Sequence, residues 1–423
     1  MFTKEDVLTF VEEENVRFIR LAFCDIYGTQ KNIAIMPSEL RRAFSEGFPF
    51  DSSNIDGFSS YVKSNLYLHP DPSTLSILPW RPSDGRVVRM FCNVTYPDGT
   101  PFEMCGRSIL QKATKYAIEN GISCTFGTES EFYLFKTDDD GNPTKDPFDN
   151  AGYLDIAPED RGENVRREIC FTLSDMGIIP ESSHHESGPG QHEVDFKYSD
   201  PLTAAENAIT LKGVVRTVAM REGLYADFSP KPLEKESGNG SHINISVKSS
   251  DGRDYLLPFM AGVIDHIEEL TFFLNPTEES YKRFGEKKAP IFISWSPENR
   301  NQLIMVPETT SERRHMKLRS PDSNANPYIA YALLIYAGMD GISRQLDPGA
   351  PTNIDLIASG DKTSQYKKLP LTLLDARSIA CQSSFVRKIL GDTYMNLISS
   401  HLSDASDFMV LTAKNTDSDQ SEE

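Results

Sequence analysis

Residues 127–135, Gly-Thr-Glu-Ser-Glu-Phe-Tyr-Leu-Phe, put two carboxylates two positions apart in a stretch rich in β-branched and aromatic residues. That pattern predicts a strand, in which residues i and i+2 point to one face. Glu129 and Glu131 then project side by side, and neighbouring carboxylates repel unless a cation lies between them. Taken alone, the pair reads equally well as a solvated strand face. A second acid cluster changes the balance: His184-His185-Glu186-Ser187-Gly188-Pro189-Gly190-Gln191-His192-Glu193. Two strand ends rich in Glu and His, joined by a Gly-Pro-Gly turn, suit oxygen-rich coordination of Mg²⁺ or Mn²⁺.

Composition sets the outer bounds. With 423 residues the chain has room for two domains or one large unit with a smaller one attached. A net charge of −19 argues against a nucleic-acid surface, which wants a basic stripe. No run of about 18 apolar residues suggests a transmembrane helix. Met1–Asp6 starts a polar helix and lacks the basic and apolar regions of a signal peptide. The six cysteines (Cys24, Cys92, Cys105, Cys124, Cys170, Cys381) form no CxxC pair and read as reduced thiols of a cytoplasmic protein.

Along the chain, helix 3–13, a hairpin at 16–23 and 31–36, and strands near 63–68, 74–78 and 87–94 outline a first α+β domain, residues 1–104. Asp51 and Ser53 fall in its polar loop at 50–58, which reads as a surface turn. A larger domain, 105–412, follows. Its expected helices lie at 108–120, 163–176, 201–222, 254–274 and 327–341, its strands at 123–135, 192–197, 291–306 and 315–319. Residues 275–290 read as an irregular basic loop, the chain after Leu346 as mostly helical, and 413–423 as a disordered acidic tail. The glycine loop 238–247 lacks the Gly-Lys-Ser/Thr end of a P-loop.

Six segments in this order resemble the glutamine synthetase family, in its short bacterial and archaeal class I form. They are Gly127–Glu131, His184–Glu193, Gly238–His242, Asn275-Pro-Thr277 with Tyr281-Lys-Arg283, Trp295–Arg300, and Arg319-Ser-Pro-Asp322 with Asn326-Pro-Tyr328. The resemblance spans about residues 15–400. It implies a β-grasp-like N-terminal domain and a catalytic domain built on a curved antiparallel sheet with flanking helices. It also implies a homo-dodecamer of two stacked hexameric rings, and a role in nitrogen metabolism through ATP-dependent condensation of glutamate with ammonia by way of a γ-glutamyl phosphate.

By position, the resemblance makes Glu131, Glu186 and Glu193 ligands of a first Mg²⁺ or Mn²⁺, and Glu129 and His242 ligands of a second. Arg283, Arg300 and Arg319 match arginines that hold glutamate and the moving phosphoryl group. Gly238 matches an amino-acid contact, Glu181 and Ser246 the nucleotide side, and Tyr153 and Ser53 the ammonium pocket. Asp51 matches an acid lent by a neighbouring subunit.

Three positions depart from the family at charged places. Lys317 stands where the second metal has a third carboxylate ligand, Lys288 where the flap carries a glutamate before Ala-Pro, and Met305 where a phosphate-binding arginine is expected. Each alone reads as drift or a shifted loop; a shift of two residues would bring Glu286 to the place of Lys288. An ammonium at 317 repels a metal ion or occupies its place. Three readings follow. One is an active glutamate–ammonia ligase. Another is a γ-glutamyl ligase for a different amine or acid. The third is a non-catalytic ring-forming homologue that binds a ligand or an active paralogue.

Overall fold

The computed structural model describes residues 2–400 except Asp56, 59–64, 82–83, Lys287, 310–313, 359–362 and 364. The expected tail 413–423 lies outside the described residues.

The first part of the chain carries α1 (Lys4–Glu13), β1 (Val16–Cys24), β2 (Gln30–Ile35), α2 (Leu40–Glu46), β3 (Phe48–Phe50), β4 (Leu66–Pro70), β5 (Ser76–Ile77) and β6 (Arg86–Thr95). Thr3 caps α1 through a reciprocal box with Asp6, which satisfies amide donors that the first helical turn leaves free. The strands form one sheet in the order β2-β1-β6-β4-β3, with β5 also on β6. β1 and β6 run parallel, a pairing that needs a long crossover such as the one between them. This is the β-grasp-like sheet.

The second part follows with α3 (Gly106–Glu119), β7 (Ile122–Thr137), β8 (Pro143–Pro147), α4 (Glu163–Asp175), β9 (Pro180–His185), β10 (Gln191–Phe196), α5 (Pro201–Arg221), β11 (Leu224–Asp227), β12 (Ser241–Ser249), α6 (Leu256–Leu274), α7 (Glu278–Lys282), β13 (Trp295–Ser296), β14 (Ile304–Met305), β15 (Met316–Leu318), α8 (Pro327–Arg344), α9 (Leu373–Gln382) and α10 (Ser384–Ser400). Its nine strands run β13-β14-β15-β12-β7-β10-β9, with β8 and β11 also on β7. All pairings but β13–β14 are antiparallel.

β7 organises this sheet by its alternation. Phe126, Phe132 and Leu134 are fully buried on its helical side, and Thr128 there bonds the Tyr331 hydroxyl of α8. Gly127, Glu129 and Glu131 take the opposite face. One apolar core runs from Val7 through α3, α6 and α8 to Leu397, and a second packs β7 and β10 against α4 and α5. Among the described residues no helix is long and apolar enough to cross a membrane, and all six cysteines are free.

Three expectations need correction. Segment 291–306 is largely irregular, with only the two-residue strands β13 and β14. Its polar run Ser296–Asn301 is held by side chains: the Ser296 hydroxyl accepts from the amides of Glu298 and Asn299. Among the described residues between Leu346 and α9 no α-helix forms: Pro348, Gly349 and Pro351 break the first turns, and beyond them Asn353 and Ile354 give their carbonyls to Asn299 and Gln302. Within 275–290, α7 forms where Thr277 and Ser280 make a reciprocal capping box.

Candidate active site

The strand register builds two rows of side chains on the cleft face. Asp195, Glu129 and His242 stand opposite one another across β10, β7 and β12, and Glu193 stands opposite Glu131. Two residues further along, Asn244 pairs with Lys317, and Lys317 with Met305. The turn between β9 and β10 swings Glu186 toward the same place. It is closed by Glu186 N donating to Gln191 O at 2.7 Å.

Glu131 is fully buried. Its Oε2 accepts from Gly240 N at 2.7 Å, while Oε1 has no hydrogen-bond partner. Glu129 accepts from Asn244 Nδ2 at 2.9 Å and lies 3.2 Å from His242 Nδ1. Ligand atoms of His184, Glu186 and Glu193 lie within 4.8 Å of one another, a span that one ion could bridge. Burial, then the charges of Asp195, Glu131, Glu129 and Glu186, push the Glu193 carboxyl well above its ordinary range.

Lys317 and Lys288 both point into this acid field. Lys317 forms an ion pair with Glu129. Lys288 forms one with Glu186, and its Nζ lies 3.8 Å from Glu131 Oε1. Burial works against the Lys288 ammonium, but the charges of Glu131 and Glu186 outweigh it and raise its pKa. Burial likewise opposes the Glu129 charge, yet His242 and Lys317 hold its carboxyl far below the ordinary range. Glu286 is turned elsewhere: it forms an ion pair with Lys231 and accepts from Gly238 N at 3.2 Å. The residue facing the carboxylates is therefore Lys288 and not Glu286.

The remaining site residues divide. Arg319 is 7% exposed, with its Nε buried and unpaired, and it feels the charges of Glu129 and Glu131. Tyr153 is exposed and lies beside the cluster, its ring centroid 5.4 Å from Lys288 Nζ. Arg283 is fully buried, and its terminal nitrogens donate to the main-chain carbonyls of Asn239, Ser320 and Pro321. Here it braces the glycine loop: a Cβ at Gly238 would meet Arg283 Cγ at 2.6 Å. The Gly238 carbonyl accepts from Gln191 Nε2 at 3.2 Å. Ser246 donates to Arg314 O at 3.0 Å, while Glu181 and Arg300 are exposed. Asp51 is exposed on the loop after β3 and accepts from Ser53 N at 2.8 Å. Among the described residues, no hydrogen bond or ion pair joins Asp51 or Ser53 to the acid cluster.

Sequence reading missed Asp195. It shares a face with Glu193 by the same two-residue spacing that marked Glu129 and Glu131. Burial and the Glu129 charge push it up to about 7. Behind the site, His185 Nε2 lies 2.9 Å from Asp149 Oδ1, and Asp149 also accepts from Gly190 N at 2.9 Å. That cluster fixes the turn carrying Glu186.

A two-sheet α+β chain with a cluster of carboxylates on one face of its larger sheet defines the class. The family model "Glutamine synthetase, catalytic domain" matches residues 103–409, and "Glutamine synthetase, beta-Grasp domain" matches residues 15–97. The chain belongs to the glutamine synthetase family. It is 42% identical over 407 residues to a glutamine synthetase of Methanosarcina mazei, covering 92% of this chain and 91% of that one. It is 40% identical to one of Clostridium saccharobutylicum, covering 96% of each. Among solved structures it is similar to a GmaS/ADP complex (TM-score 0.86, 28% identity, 97% of this chain and 99% of that one) and to apo GmaS (TM-score 0.84, 28% identity, the same coverage).

Proposed function

We propose that this protein keeps the binding cleft of a glutamine synthetase while its ATP-dependent joining of glutamate and ammonia is severely impaired. The observation that carries this reading is the pair of ammonium groups on the carboxylates that match the metal ligands: Lys317 on Glu129, Lys288 on Glu186. The family's chemistry asks two divalent cations to neutralise phosphate charge as the γ-glutamyl phosphate forms. The residues for one such ion fit: Glu186 and Glu193 converge with His184, Glu131 stands opposite Glu193, and Glu131 Oε1 lacks a hydrogen-bond partner. Those for the other do not, because an ammonium cannot ligate a cation and Lys317 already takes Glu129.

Two further losses act on the same step. Met305 puts a thioether beside Lys317 where a guanidinium would hold phosphate. Lys288 puts a cation where a flap carboxylate would take a proton from ammonium. Losing one such group lowers the rate by roughly 10²–10⁴. Mg²⁺ or Mn²⁺ at the first position, ATP binding beside Glu181 and Ser246, and a cytoplasmic location belong to this reading. So does a dodecamer in which Asp51 and Ser53 serve a neighbour's site, alone or beside an active paralogue. Asp51 is exposed and, among the described residues, makes no hydrogen bond or ion pair with its own cluster, which supports that assembly.

A second reading, a γ-glutamyl ligase for another amine, draws on the full-length similarity to GmaS, one form of which holds ADP. Lys288 over Tyr153 would then reshape the amine pocket.

Phosphate release from ATP with Mg²⁺ and glutamate decides, with ammonium or a panel of alkylamines, comparing wild type with the Lys288→Glu/Met305→Arg/Lys317→Glu variant. The expected result is near-background release by wild type with every amine and a gain of at least about 10²-fold with ammonium in the variant. Wild-type turnover with ammonium within about tenfold of 10 s⁻¹, a median enzyme rate, would contradict the reading. Turnover with one alkylamine alone would establish the second.

A further inference from the structure

The two lysines are mounted differently, and that difference has a consequence for metal binding. Lys317 belongs to β15, where the sheet fixes it between Asn244 and Met305. Its carboxylate is fully engaged: Glu129 bonds Lys317, Asn244 and His242 together. Lys288 belongs to no strand or helix. Beyond its ammonium, its carbonyl lies 3.4 Å from His242 Nε2.

The acids around the two lysines also differ in number. Around Lys288, Glu131 and Glu186 share one ammonium, while Glu193 acts on it only as a further charge and lies 4.0 Å from His184 Nε2. Glu131 Oε1 is buried without a hydrogen bond, and Lys288 Nζ at 3.8 Å stays outside hydrogen-bonding reach. Glu186 has the Lys288 ammonium, but buried Glu131 Oε1 has no donor within reach, and a divalent cation between them would serve an oxygen that the lysine leaves unserved.

Resting on the reading of both lysines as resident cations, we propose that the cleft takes one divalent cation per chain, among Glu131, Glu186 and Glu193. The ion enters by displacing the Lys288 ammonium, while Lys317 holds the second place closed. Metal and Lys288 then compete for the same oxygens. Each weakens the other's hold by the same factor, as linkage requires.

The test counts bound Mn²⁺ by the paramagnetic resonance of the free ion, without ATP or glutamate. It uses wild type, Lys288→Gln and Lys317→Glu, each first shown to melt cooperatively. Wild type is expected to bind one ion per chain. Lys288→Gln should bind one at least about tenfold more tightly, and Lys317→Glu should bind two. A second readout stays within wild type: brief acylation of lysines, read by mass spectrometry, should modify Lys288 more when Mn²⁺ is present. Two ions or none in wild type, unchanged affinity in Lys288→Gln, or Lys288 acylation indifferent to Mn²⁺ would overturn the proposal. Because no turnover is measured, an active wild type would defeat the proposed function and leave this count standing on its own.

Discussion

At position 317 a single side chain decides whether Glu129 faces a cation. Glu129 also stands opposite Asp195, so removing the ammonium leaves two acids close together, Glu129 supported by His242 and Asn244 and Asp195 by Ser182. Lys317→Met is expected to cost on the order of 2 kcal/mol, since the pair is partly exposed and a fully buried one would cost more. Urea unfolding at neutral pH measures it. Lys317→Glu should lower Tm further in metal-free buffer and recover with Mn²⁺ by more than wild type does. The value of 317 is legible in the sequence because it sits in a short segment of fixed spacing before Arg319. The burial of Arg283 is not legible, because its partners are main-chain carbonyls of Asn239, Ser320 and Pro321, which no residue type announces. Asp195 is legible by strand alternation, two positions beyond Glu193 on the same strand.

Elements hold these side chains through close backbone contacts. Helices α6 and α8 cross where Gly262 meets Gly341: a Cβ on Gly262 would lie 2.1 Å from Ala337 O, and one on Gly341 would lie 2.2 Å from Pro258 O. Neither backbone can yield without parting the helices from the sheet they support. Gly262→Ala should therefore destabilise by about 1–3 kcal/mol or more, seen as a lower urea midpoint with the slope unchanged. The amphipathic helices and the strand carrying Glu129 are legible because their apolar periods are strong. Segment 346–372 is not: its leucines and isoleucines suggest helix, but Gln302 Nε2 and Asn299 Nδ2 bond the carbonyls of its Asn353 and Ile354 instead. Pro348, Gly349 and Pro351 mark the start of the break, but the side chains of a distant loop that replace helical partners beyond it are not shown by local sequence.

Across the whole molecule, Arg107 of α3 ties the two sheets together. Its nitrogens donate to Glu206 of α5 at 2.8 Å, Asn93 of β6 at 2.6 Å and Asp71 at 2.7 Å. Arg107→Met would leave Glu206 and Asp71 without their cation, with an expected loss of about 3–5 kcal/mol in urea. Burial raises the Asp71 carboxyl, but hydrogen bonds from Ser73 and Arg107, with the Arg107 charge, more than offset it and hold the pKa low. That stabilisation is complete above the ordinary carboxyl range, near pH 4, and is lost as pH falls through the lower folded value. The Tm gap between wild type and Asp71→Asn should accordingly be largest near neutral pH and shrink on acidification to about pH 3.

The same cooperative frame presents one acid field to two lysines, and diffraction from crystals soaked in Mn²⁺ observes that field directly. Anomalous scattering should show one peak per chain, among Glu131, Glu186 and Glu193, with Lys288 turned away and Lys317 still on Glu129. Two peaks, with Lys317 swung clear of Glu129, would show that the lysines do not serve as cations and that the family's two-metal chemistry is intact.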